Sequence, residues 1–132
     1  MPIFPIHKNT KKSEKPLLKQ ILDLIPNHIL LDSTRQYQSN KGCSTYKTYD
    51  QLVAMTFGQL NKCLSLREIN LGLSVDEKLI RDLNLKQSPA KSTMSDGNSQ
   101  RNWKVYEHIY FELIKYYKGV FSKQIGSDFV SL

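Results

Sequence analysis

Three helix-start signals fall between Thr48 and Glu77, and this density of punctuation is what most restricts the fold. Thr48-x-x-Gln51, Ser65-x-x-Glu68 and Ser74-x-x-Glu77 each set a hydroxyl three residues ahead of a Gln or Glu. In such a capping box the hydroxyl satisfies a free N–H of the first turn while the later side chain reaches back to the cap amide. A carboxylate there also sits at the positive end of the helix dipole. Signals this close leave room only for short helices joined by tight turns.

The flanking sequence reads the same way. Pro16 suits the first turn of a helix, where its missing N–H costs nothing. Leu17, Leu18, Ile21, Leu22, Leu24 and Ile25 give that helix an apolar face, and Pro26 ends it. Asn27 is placed to cap a second helix running to about Tyr37. Ser39, Asn40, Gly42 and Ser44 mark Gln38–Thr45 as a loop. The helix opened at Thr48 is expected to turn Leu52, Val53, Met55, Thr56, Leu60 and Cys63 inward. Shorter helices follow from Ser65 through Leu71 and from Ser74 to about Leu83. Pro89 breaks the chain, and Ser92 is placed to cap a helix carrying Thr93, Met94, Asp96 and Asn98. Trp103, Tyr106, Tyr110, Leu113 and Tyr117 recur at steps of three and four, an amphipathic period expected to pack into the core, with Gly119 placed as its stop.

No segment alternates like a half-buried strand between hairpin turns. The fold class expected is all-α: a compact bundle of six or seven mostly short helices with a helix-turn-helix-like element. Three regions follow: a basic irregular arm over 1–14, a helical domain over 15–119, and a tail over 120–132. A chain of 132 residues can bury a core without disulfides or metal. Cys43 and Cys63 stand far apart in no CxxC arrangement, which fits a reducing compartment. The N-terminus lacks the apolar run of a secretion signal, and no stretch approaches the roughly 18 apolar residues of a membrane span. A cytoplasmic, nucleoid-associated protein without membrane partner is expected.

Nineteen Lys and Arg against twelve Asp and Glu give a net charge of +7. A surface of that sign gains free energy by releasing counterions from a polyanion. The excess is greatest in residues 1–20, where Lys8, Lys11, Lys12, Lys15 and Lys19 face one acid, Glu14.

Enzymatic signatures are missing from the sequence. Cys43, Cys63, His7, His28 and His108 are scattered singly, without the clustering a zinc site needs. There is no Walker A, G-x-S-x-G or G-x-G-x-x-G pattern. Asp96 and Glu107 lie about three helical turns apart along one helix, too far to share an ion. No metal, cofactor or catalytic residue is expected.

One stretch is dense in groups that recognise nucleic acid. Lys91 to Lys104 reads Lys-Ser-Thr-Met-Ser-Asp-Gly-Asn-Ser-Gln-Arg-Asn-Trp-Lys. Short hydroxyls near a helix N-terminus contact phosphates together with free N–H groups, Asn and Gln pair with adenine edges, and Arg pairs with guanine. Composition leaves a plain polar surface helix equally open, and Gly97 weakens any helix there by about 1 kcal/mol.

Four segments resemble the N-terminal domain of DDE transposases of the insertion-sequence-four family. They are residues 17–26 (Leu-Leu-Lys-Gln-Ile-Leu-Asp-Leu-Ile-Pro), 49–60 (Tyr-Asp-Gln-Leu-Val-Ala-Met-Thr-Phe-Gly-Gln-Leu), 65–69 (Ser-Leu-Arg-Glu-Ile) and 91–106, in the family's order and spacing. The resemblance implies a helical domain ahead of an RNase-H-like catalytic domain, binding double-stranded DNA at the terminal inverted repeats of the element. It implies that Arg67 on the Ser-Leu-Arg-Glu-Ile helix and Lys91, Ser92, Thr93, Ser95, Asn98, Arg101 and Lys104 contact DNA, with phosphate contacts from Lys8, Lys11 and Lys12 on the arm. The family's catalytic strand ends in Asp-Ser-Thr, which Ser-Asp-Phe-Val-Ser-Leu around Asp128 does not match, so no catalytic role carries over. The expectation is the DNA-binding part of a truncated transposase that does not itself cut DNA. Two alternatives stay open: a helical module for self-association or for binding full-length transposase, and a remnant without function.

Overall fold

The computed structural model describes residues 15–130, with side chains described to Gln124. The arm carrying Lys8, Lys11 and Lys12 lies outside the described residues. Seven helices and no strand occur among those described: α1 (Leu17–Leu22), α2 (Asn27–Gln36), α3 (Thr48–Leu60), α4 (Leu66–Ser74), α5 (Glu77–Asp82), α6 (Lys91–Gln100) and α7 (Lys104–Val130). The all-α expectation holds.

Apolar side chains gather in two places. The larger core joins Leu18 and Leu22 of α1, Val53, Ala54 and Phe57 of α3, Ile69 and Leu73 of α4, Leu83 and Leu85 after α5, and Met94 of α6. A smaller core joins Ile29 of α2 to Val105 and Ile109 of α7. Ile25, between α1 and α2, packs against both. The α2–α7 pair is further tied by Ser33 Oγ and His108 Nδ1 at 2.7 Å, with Ser33 fully buried. Gly58 lets α3 approach α4 closely: a Cβ there would stand 2.7 Å from Ile69 Cδ1.

Several helix ends differ from the sequence reading. Ser65 caps α4 as expected, accepting from Glu68 N at 3.2 Å, and Glu68 reaches back to Leu64 N. The cap of α5, however, is Asp76 rather than Ser74: Asp76 Oδ1 accepts from Leu79 N, while Ser74 Oγ donates to Leu71 O at the end of α4. A carboxylate one position before the helix competes better for the free N–H than a hydroxyl two residues earlier. Asn27 and Ser92 are not caps either. The Pro26 and Ala90 residues hold those positions, with no side-chain bond.

Thr48 and Gln51 are not a capping box. Lys47 precedes α3, and Asp50 Oδ2 accepts from its backbone N–H at 2.8 Å. Thr48 and Gln51 are buried and serve tertiary contacts instead. The inner face of α3 is Val53, Ala54, Phe57 and Gly58, whereas Met55 and Leu60 are exposed.

The aromatic period of α7 was expected to be core, and only part of it is. Val105 and Ile109 are buried and Tyr106 and Leu113 pack against them, but Trp103 and Tyr110 are largely exposed. Nor does Gly119 stop the helix, which runs on to Val130.

Candidate nucleic-acid interface

The stretch Lys91–Lys104 divides into α6, a break at residues 101–103, and the start of α7. Its entry is fixed from α4. Asn70 Nδ2 donates to Pro89 O at 2.8 Å, and Ser88 Oγ donates to Asn70 O at 2.9 Å. Helix α6 then lies against α4. Its exit is fixed by Asn102, whose Oδ1 accepts from Lys104 N at 3.0 Å.

Helical spacing sorts the side chains of α6 into two faces. Met94 is fully buried, and Gly97 faces Tyr46 so closely that a Cβ would lie 2.7 Å from Tyr46 Cε2. That approach explains a glycine in mid-helix. The opposite face carries Lys91, Ser92, Ser95 and Ser99, all exposed, with Asp96, Gln100, Asn102 and Lys104 beside them. Ser99 Oγ donates to Ser95 O, while Lys91, Ser92 and Lys104 make no side-chain bond to the protein among the described residues. Thr93 is half-buried.

Arg101 and Asn98 are tied into the scaffold, Arg101 half-buried and Asn98 still exposed. The backbone turns extended at Arg101, and the guanidinium folds back under the loop Tyr37–Thr45. Nε donates to Ser39 O at 3.1 Å. Nη1 donates to Gln51 Oε1 at 2.6 Å and Lys47 O at 3.3 Å. Nη2 donates to Tyr46 O and to Cys43 Sγ. All five N–H donors of the guanidinium are therefore engaged. The group also lies 5.5 Å from the Tyr46 ring centre, within cation–π range. Gln51 Nε2 donates to Asn98 Oδ1 at 2.9 Å, so Asn98 braces the same network. Behind it, Ser39 Oγ meets Thr48 Oγ1 at 2.6 Å, Thr48 N donates to Asn40 Oδ1, and Tyr106 OH donates to Thr48 O.

This clasp brings the loop beside α6 and leaves a cleft of about 490 Å³ between them, where Lys41 and Ser44 join Thr93, Asp96 and Gln100. No local pattern singles out Lys41: the sequence shows a polar loop, and the Arg101 bonds, which span fifty residues or more, bring it to this place. Arg67 is exposed on α4 with Glu68 beside it. Burial pushes the hydroxyl of Tyr106 up to about 12 and raises those of Tyr46 and Tyr49, so these three stay protonated near neutral pH. Among the described residues no group of three or more His, Cys, Asp or Glu could hold a metal ion, and no helix is long and apolar enough to cross a membrane.

Fold and site together define a small all-helical domain that presents a polar helix from a clasped scaffold. The chain belongs to the family described as a domain of unknown function (DUF4372), whose profile matches residues 13–83. That match takes in α1 to α5 and ends before α6. No curated protein and no solved structure matches the chain.

Proposed function

We propose that this chain is a DNA-binding domain of insertion-sequence-four transposase type, with the outward face of α6 and its flanking lysines set against the duplex. The observation that carries this reading is the exposed row Lys91, Ser92, Ser95 and Ser99 at an uncapped helix start. No acidic side chain stands in the first turn of α6, and its first N–H groups have no side-chain partner. A helix start of this kind favours phosphate, since the dipole and the free N–H groups both attract anions. Hydroxyls and a lysine beside it supply further phosphate contacts. Support also comes from the resemblance, whose most specific segment coincides with α6, and from the family, which occurs in transposase-like proteins. The net charge of +7 has the right sign.

Lys91, Ser92, Ser95 and Lys104 are the contacts proposed, with Arg67 on the adjoining helix and the arm lysines adding phosphate contacts. Thr93 stands at the cleft edge. Arg101 and Asn98 hold the scaffold. The reading assigns these residues binding to terminal inverted repeats, not strand cleavage.

Fluorescence anisotropy on labelled duplex tests it. Binding is expected at 50 mM salt, falling steeply by 200 mM, and Lys91→Ala should reduce the log–log salt slope by about 0.9. Selection from a pool of randomised duplexes should yield a preferred sequence that Ser95→Ala weakens. No binding at 50 mM salt would end the proposal.

A further inference from the structure

Helix α7 carries two apolar stripes, and only one is used. At 3.6 residues per turn, Val105, Ile109 and Leu113 share the face packed on α2. Tyr110, Ile114 and Phe121 line a second face, about 120° round the helix from the first. Trp103 continues it N-terminally, and Phe111 flanks it in edge contact with Tyr110, ring centres 5.3 Å apart. All five are open: Trp103 is 63% exposed, Tyr110 59%, Phe111 54%, Ile114 37% and Phe121 58%. An apolar stripe of this size, rimmed by polar residues, marks an interaction surface.

The charges along its edge indicate what covers it. Glu107 and Lys118 lie on one side of the stripe, near its two ends, and both are exposed. Neither has an ion-pair partner among the described residues; the nearby pair on this helix is Glu112–Lys115. The geometry points to a second copy of this chain, lying antiparallel along α7 about a two-fold axis midway between Glu107 and Lys118. That arrangement sets Glu107 of each copy against Lys118 of the other, so one complementary pair is made twice. A parallel arrangement would instead stack Glu107 on Glu107 and Lys118 on Lys118.

In the antiparallel register Trp103 falls beside Phe121 of the second copy, and Phe111 beside its Ile114. An aromatic side chain buries about 150–250 Å² when fully covered, so four half-exposed ones contribute on the order of 400 Å² per copy. That is roughly half of a standard interface of about 800 Å² per partner, and Ile114 and the charged edge extend it. The inference stands apart from the DNA-binding proposal, since it uses α7 and not α6.

Sedimentation velocity on the full chain, from low to high micromolar concentration, tests it. The wild-type protein should reach twice the monomer mass. Glu107→Lys and Lys118→Glu should each weaken association by at least about tenfold, through lost pairs and new repulsion. The double exchange Glu107→Lys with Lys118→Glu should restore it. Ile114→Asp should give a monomer whose circular dichroism matches wild type. A monomer at every concentration overturns the inference. So does a dimer indifferent to the single reversals, or one that the double exchange fails to restore.

Discussion

Replacing Arg101 by alanine separates a scaffold role from a reading role. The guanidinium donates to three backbone carbonyls, Ser39, Lys47 and Tyr46, to Gln51 Oε1 and to Cys43 Sγ. A hydrogen bond to a charged group contributes about 1.5–3 kcal/mol, and a part-buried acceptor left without a partner costs about 1–3 kcal/mol. These terms are not additive within one network. Water can also reach the Lys47 carbonyl, whose bond to Arg101 is exposed. We therefore expect a loss of about 3 kcal/mol for Arg101→Ala. With a urea m-value of about 2 kcal/mol/M, the midpoint followed by circular dichroism at 222 nm should fall by about 1.5 M. Arg101→Lys keeps the charge but loses the planar fork, and should recover less than half of that loss. At a temperature where the variant is still folded, affinity for duplex should stay within about threefold of wild type. If Arg101→Ala leaves the midpoint within about 0.25 M of wild type (about 0.5 kcal/mol) while abolishing preference among duplexes, the clasp reasoning is wrong and the residue reads DNA.

Two further outcomes follow from the tyrosines beneath the loop. The hydroxyl of Tyr46 is buried without a hydrogen-bond partner, while its ring packs on Gly97 and under Arg101. Tyr46→Phe keeps the ring and removes the orphan group, so it should leave thermal stability unchanged or raise it by about 1 kcal/mol; a clear loss in a thermal melt would show an unseen partner. Burial raises the hydroxyl pKa of Tyr46, Tyr49 and Tyr106, the last to about 12. Their stabilising effect is whole below about pH 10, where unfolded tyrosine is still protonated, and is lost as pH rises towards 12. Urea melts between pH 8 and 12 should show this decline, and Tyr106→Phe should flatten it.

The sequence revealed elements better than partners. The break at Pro89, the Ser65 cap and the loop at Gln38–Thr45 are local signals, and the structure keeps them, whereas the first helix already ends at Leu22, short of Pro26. Thr48-x-x-Gln51 shows the limit. A threonine followed three residues later by glutamine suits a cap, but the same side chains bond equally well to a distant loop, and burial under Arg101 decided between the two. The bonds of Arg101 were hidden for the same reason. Five donors in a fork fit a guanine edge or a nest of carbonyls, and nothing within a few residues distinguishes them. Trp103 and Tyr110 kept helical spacing but not burial, because period alone does not reveal that one helix carries two apolar faces.

The chain has a single tryptophan, Trp103, and it stands mostly in solvent at the hinge between α6 and α7. Its emission should therefore change little when the protein melts, which makes it a poor gauge of folding. The same position makes it a built-in optical probe of whatever settles against that corner of the molecule. A blue shift on concentration, or quenching on addition of duplex, would be visible without any label.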